Sequence, residues 1–167
     1  MQQLWSQILA GEVNKQGSFS IRTINLLSSL SIKDALLFRK LCTFILSITI
    51  IDNNSTDSYV LLDIRDINKP PFNISFSEII HLESIYFISL NISTGYILRK
   101  HEIKINYNGQ VLNIRTRLNN EPSISIGDVA LTSIGKELSL IVKPEIDYNI
   151  LNYWEKYYID KDYDVSK

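Results

Sequence analysis

The chain has little of what most often carries chemistry. Of its 167 residues one is cysteine and two are histidine, and 17 Lys and Arg stand against 18 Asp and Glu, a net charge of −1. One thiol, Cys42, excludes an intrachain disulfide. A zinc site needs several Cys or His ligands at close spacing, which Cys42, His81 and His101 do not supply, so no metal is expected. The six glycines stand apart from one another, so there is no glycine-rich phosphate loop, and no cofactor is expected. A near-neutral chain has no overall electrostatic reason to seek nucleic acid or an acidic membrane, and such binding would need a local patch. The longest mostly apolar run without an ionic residue, 41–51, is shorter than the roughly 20 residues of a membrane span. Residues 1–13 lack the basic start and long apolar centre of a secretion signal. The expected location is therefore cytoplasmic, and the Asn-x-Ser/Thr triplets at Asn53, Asn54, Asn73 and Asn91 are read as incidental.

What is present describes a globular domain. The hydrophobic fraction is 45% and the charged fraction 21%, ordinary values for a chain with a packed core. Residues 2–13 read as a helix with Leu4, Ile8 and Leu9 on one face, followed by a turn over 14–18. Ser18 or Ser20 caps a second helix running to about Leu30. Ser31 and Asp34 form a capping box for a third, predicted from Ile32 to about Thr49 and apolar nearly all round, hence the expected central helix. A polar loop over 52–57, a strand over 59–64 and an irregular stretch around Pro70-Pro71 follow. Ser75 and Glu78 make another capping box, opening a helix to about Tyr86. Thr132 caps a helix carrying Ile134, Leu138 and Ile141, and Pro144 suits the first turn of a last helix, with Ile146, Ile150, Trp154, Tyr157 and Tyr158 in its stripe. The tail 161–167 is expected to fray.

The firmest local signal is Asn108-Gly109, the preferred pair for a type I′ hairpin turn. A two-residue loop there pairs Tyr107 with Gln110, Ile105 with Leu112 and Ile103 with Ile114. The apolar residues of these pairs fall on one face. The other face carries Lys104, Arg115 and Arg117, with Glu102 opposite Arg115.

Three passages carry a resemblance: Leu4-Trp5-Ser6-Gln7-Ile8-Leu9-Ala10-Gly11-Glu12, Gly17-Ser18-Phe19-Ser20-Ile21-Arg22-Thr23 and Leu131-Thr132-Ser133-Ile134-Gly135-Lys136-Glu137-Leu138. Their order and spacing resemble an uncharacterised bacterial family of unknown function with a Leu-Trp-Ala-x-x-Leu-Ala-Gly-Glu start. More loosely they are similar to the abortive-infection alpha-type proteins of phage defence. Gln16 stands where the pattern has Pro, and Ser6 where it has Ala. The resemblance implies a helical domain with a winged-helix-like end and no catalytic residues. Relatives with further sequence ahead of this region would make the present chain a shortened one.

The expected fold is α+β: an N-terminal helical bundle, then a winged-helix-like part with a long β-hairpin and C-terminal helices. It is read as a single domain over 1–160. The helical part covers about 1–51, the strand and winged-helix-like part about 58–142 and the last helix about 144–159, with 161–167 a flexible tail. In a winged-helix arrangement the helix from Phe76 takes the recognition position and the hairpin is an enlarged wing; a generic α+β arrangement fits the same elements.

Catalytic signals are thin and no enzyme is expected, with an unrecognised hydrolase the remaining alternative. His81 has Ser77 and Glu78 on its helix face, a pattern that any polar face produces. Asp160-x-Asp162-x-Asp164 starts like a calcium loop but has Val165 where glycine belongs. Two binding surfaces remain. Tyr153, Trp154, Tyr157 and Tyr158 exceed what one core-facing stripe needs and suit a protein interface, with another protein or with a second copy. Lys100, Lys104, Arg115 and Arg117 offer a basic face that suits phosphates, the alternative reading.

Overall fold

The computed structural model describes residues 19–117 and 121–167. The helix expected over 2–13 and the turn over 14–18 lie outside the described residues. Those described form a mixed α and β fold with five α-helices and a five-stranded antiparallel sheet.

Helix α1, Ile21–Ser29, begins at Ser20, whose hydroxyl accepts the Thr23 N–H. It buries Thr23 and Leu27. Helix α2, Ile32–Cys42, opens with the expected capping box of Ser31 and Asp34. It is neither as long nor as enclosed as its composition suggests. It ends at Cys42, and its Ile32 and Leu36 are 66% and 60% exposed, while Phe38, Leu41 and Cys42 face the core. The second half of the predicted helix is strand β1, Ile45–Ile50. In 44–50 the buried residues are Phe44, Leu46 and Ile48, a period of two, and three of the strand's six residues are β-branched isoleucines. Such residues pack well on a pleated surface and lose rotamer freedom in a helix.

Strand β2, Ser55–Val60, occupies much of what reads as a loop. Its first residues are polar because they form the outer edge of the sheet, where Thr56 hydrogen-bonds Thr49 at 2.8 Å. Helix α3, Phe76–Ser84, carries the second capping box, Ser75 with Glu78. Short strands β3, Ile88–Leu90, and β4, Ile97–Leu98, follow.

The hairpin of β5, Glu102–Tyr107, and β6, Gln110–Arg115, has the predicted register pair for pair. Asn108 and Gly109 both have positive φ, as a type I′ turn requires. The hairpin is not a projecting wing. β5 pairs with β1 on its other side, and β6 pairs with β9, Asp164–Ser166, giving the order β2-β1-β5-β6-β9. The segment expected to fray therefore closes one edge of the sheet. Ladder bonds and the Arg117 ion pairs with Asp162 and Asp164 hold it there.

Strands β7, Ile124–Ser125, and β8, Val129–Leu131, are separated at Gly127 as expected; they pair with β4 and β3 in two small sheets. Helix α4, Ser133–Ser139, is capped by Thr132. Helix α5, Asn149–Asp160, starts five residues beyond Pro144, which lies in the connection with the half-exposed Ile146. Fully buried Ile150, Trp154 and Tyr158 anchor α5 to the core.

Candidate functional site

Three of the four cations of the predicted basic face are ion-paired. Lys100 Nζ lies 2.8 Å from Asp52, Arg115 2.7 Å from Glu102, and Arg117 between Asp162 and Asp164. Of these four, Lys104 alone is exposed without an ion-pair partner among the described residues. Lys100 and Arg115 each pair with one carboxylate and Arg117 with two, and three of these four partners lie outside the hairpin.

Both histidines hydrogen-bond neighbouring side chains. His81 Nε2 meets Asp34 Oδ1 at 2.6 Å and ties α3 to α2, and His101 Nδ1 meets the Thr116 hydroxyl at 2.9 Å. The Ser77 hydroxyl is spent on Ser75. Burial pushes the Cys42 thiol up to about 12, which makes it inert as a nucleophile. Asp162 and Asp164 hold Arg117, and no group of side chains suited to a metal occurs among the described residues.

The aromatic residues of α5 divide into two sets. Trp154 and Tyr158 are fully buried, so neither can meet a partner directly. Trp154 packs edge-on to Phe72 and Tyr157, and the Tyr158 hydroxyl donates to the Ser125 carbonyl at 2.7 Å. The Trp154 indole N–H has no acceptor among the described residues. Tyr153 and Tyr157, one turn apart, are half-buried, with rings stacked at 30° and 6.2 Å between centroids. They form one wall of an open cleft of about 490 Å³.

The opposite wall is the connection after β2. Leu61 and Leu62 enter the core, and the chain then turns at Asp63, whose carbonyl accepts the Asp66 N–H at 3.0 Å and whose carboxylate accepts the Arg65 N–H at 3.0 Å. The Asp63 side chain is 3% exposed. Arg65 grips it with two prongs, Nε donating to Oδ1 at 2.8 Å and Nη2 to Oδ2, while the Arg65 side chain itself is 67% exposed. Burial raises the Asp63 pKa, but the Arg65 hydrogen bonds outweigh it and the carboxyl stays below its usual range. The next acid, Asp66, is held low first by Lys69, at 2.7 Å, and then by the Tyr153 hydroxyl, which donates to it at 2.6 Å. The Tyr153 phenol is pushed far up, chiefly by burial and then by that carboxylate, so it remains a donor. Beyond the cis Pro70-Pro71 bond, Phe72 stands edge-on to Tyr153 at 4.8 Å and fixes this wall against α5.

Two more cations complete the cleft. Lys156 lies on α5 beside Tyr157, and Lys161 Nζ sits 5.7 Å from the centre of the Tyr157 ring. Neither has a carboxylate partner among the described residues, and Asp160, also on the lining, has no cation partner. A second groove of about 600 Å³, among Leu26, Tyr86, Thr132 and Ile134, is largely apolar, with Arg22 its one ionic side chain among the described lining residues.

Sequence reasoning found the tyrosines and missed Asp63, Arg65, Asp66 and Lys69. Their signal, an Asp-x-Arg-Asp run before a double proline, reads only as a turn, because its ion pairs have no helical or strand period.

No curated protein and no solved structure matches the chain. A family model described as a protein of unknown function (DUF2806) does match, over residues 1–155, and the chain belongs to that family.

Proposed function

We propose that this domain works by binding a protein, without catalysis, and that the cleft between α5 and the Asp63–Pro70 turn is where it does so. The observation that carries the reading is the pairing of two half-buried tyrosines with an oriented arginine in one open cleft, backed by a rigid aromatic core. Tyrosine and arginine are the residues most enriched in interface centres, where a preset side chain loses little entropy on binding. The interface is thus half of the aromatic set expected from the sequence, Tyr153 and Tyr157, with Trp154 and Tyr158 as the support behind them.

The winged-helix reading and nucleic-acid binding through the hairpin have less behind them. The hairpin lies inside the sheet, its Arg115 and the neighbouring Arg117 are ion-paired, and α3 carries Glu78 and Glu83 with no Lys or Arg. A role in phage defence is compatible with a protein-binding domain, and the sequence resemblance alone supports it.

The test is a photo-crosslinking residue placed at Lys156 and, as a control, at Lys104 on the sheet. The expected result is a discrete protein adduct at position 156 only, competed by unlabelled wild-type protein and not by a Tyr157→Ala/Lys156→Glu variant. An adduct containing only this chain makes the partner a second copy. Identical adducts at both positions, or adducts to nucleic acid, would sink the reading.

A further inference from the structure

We infer that the cleft reads carboxylate side chains, so that its partner presents an acidic segment flanked by apolar or aromatic residues. This rests on the protein-binding reading above and adds the chemistry of the ligand.

The first ground is Arg65. A guanidinium has five N–H donors in a rigid plane. Asp63 takes one from Nε and one from Nη2, leaving three without an acceptor among the described residues. The carboxylate that holds the group is sealed, at 3% exposure, while the guanidinium opens on the cleft at 67%. A carboxylate buried to that degree cannot itself meet a ligand. Its effect is to lock the orientation of a planar fork that matches an incoming carboxylate.

The second ground is the balance of charge. Arg65, Lys69, Lys156 and Lys161 face Asp63, Asp66 and Asp160, an excess of one cation in a chain whose net charge is −1. Asp63 and Asp66 are each occupied by a cation, and Asp66 by the Tyr153 hydroxyl as well. Lys156 and Lys161 have no such partner among the described residues, and the Tyr157 ring keeps Lys161 at the wall. The open donors are therefore cationic.

The third ground separates a protein from a nucleic acid. Nucleic-acid interfaces are much more positive than protein interfaces, and a phosphate chain running along this cleft would pass Asp66 and Asp160. An excess of one charge interspersed with carboxylates and tyrosine faces suits isolated acidic side chains with apolar neighbours.

The probe is a fluorescein-labelled dodecapeptide of Glu and Trp, compared with the same peptide carrying Gln for Glu, by fluorescence anisotropy on the full chain. The acidic peptide is expected to bind about tenfold more tightly at low salt, and the advantage to shrink as salt rises. Lys156→Gln/Lys161→Gln removes most of that advantage. Arg65→Lys, which keeps the charge and loses the fork, weakens binding with the thermal transition retained. Lys104→Gln changes nothing. Equal binding of the two peptides overturns the inference, and so does acidic binding that these variants leave intact. If the Gln peptide or a Lys peptide binds and Tyr157→Ala abolishes it, the acidic preference falls and the protein-binding reading stands. If only labelled single-stranded DNA binds, through Lys156, both fall.

Discussion

Gly135 shows how much one residue's chemistry explains in the Leu131–Leu138 passage. A Cβ there would lie 2.1 Å from the Phe87 carbonyl oxygen, a backbone atom with no freedom to withdraw. The neighbouring positions have physical roles too. The Thr132 hydroxyl accepts the Gly135 N–H at 3.0 Å, Glu137 accepts the Ser20 N–H at 2.8 Å, and Leu131 and Leu138 are buried. The second and third passages of the sequence resemblance therefore meet in space, joined by the bond from Ser20 to Glu137. Gly135→Ala is expected to cost about 1–3 kcal/mol, as overpacking of a closed site does. Gly109→Ala meets no atom within 4 Å, and the strain of its φ of +86° alone costs about 1–2 kcal/mol. Urea denaturation of the two variants should rank Gly135→Ala as the more damaging.

At the scale of elements, pairing across the sheet decides what an unbroken apolar run leaves open. Residues 45–50 follow α2 without a break in apolar character, and their β-branched side chains together with two partners, β2 and β5, make them a strand. Residues 164–166 have no strand signature, but β6 presents an unpaired edge beside them, and an unpaired edge is a row of unsatisfied donors and acceptors. Val165 lies opposite Ile114 there. In that pairing the N–H groups of Asn113 and Arg115 face β9, opposite Ser166 and Asp164, whereas that of Ile114 faces Ile103 on β5. Ser166→Pro removes a ladder donor and fixes φ, so the β6–β9 ladder should open. Amide exchange at Asn113 and Arg115 is then expected to quicken, while amides of β1 and β5 keep their protection. Unchanged exchange at those two residues would mean that β9 contributes nothing to the sheet. The Arg117 pairs cannot substitute for the ladder, since such exposed pairs contribute little, about 0–1 kcal/mol.

Over the whole molecule, acids tied to neighbours set how stability depends on pH. Asp34 is held below its ordinary 3.8 first by the His81 hydrogen bond, Asp66 by Lys69 and Glu78 by the Ser75 backbone N–H. A carboxyl whose pKa is lower folded than unfolded stabilises the fold above its unfolded pKa. That contribution disappears as pH falls through the folded value. The protein is therefore expected to lose stability below about pH 4. Asp34→Asn removes one titrating group, so the variant should be less stable than wild type near neutrality and converge with it in strong acid. Urea midpoints at the two extremes check this; a gap that stays constant would show that Asp34 does not titrate differently on folding.

The sequence by itself determined the features whose causes lie within a few residues. The hairpin register follows from Asn108-Gly109 and a period of two, and the helix starts at Ser20, Ser31, Ser75 and Thr132 follow from side chains that reach the first turn. The tertiary structure decided what depends on distant partners. It made 45–50 a strand, brought 164–166 onto the sheet, and hid Trp154 and Tyr158 while leaving Tyr153 and Tyr157 at a surface. It also neutralised Arg117 with acids from the chain's far end and left Lys156 and Lys161 unpaired among the described residues. Propensity and periodicity act over one or two turns of chain, whereas burial and ion pairing depend on which surfaces meet. The Arg65 cleft belongs to the second kind, because its two walls are some 90 residues apart and only folding puts them face to face.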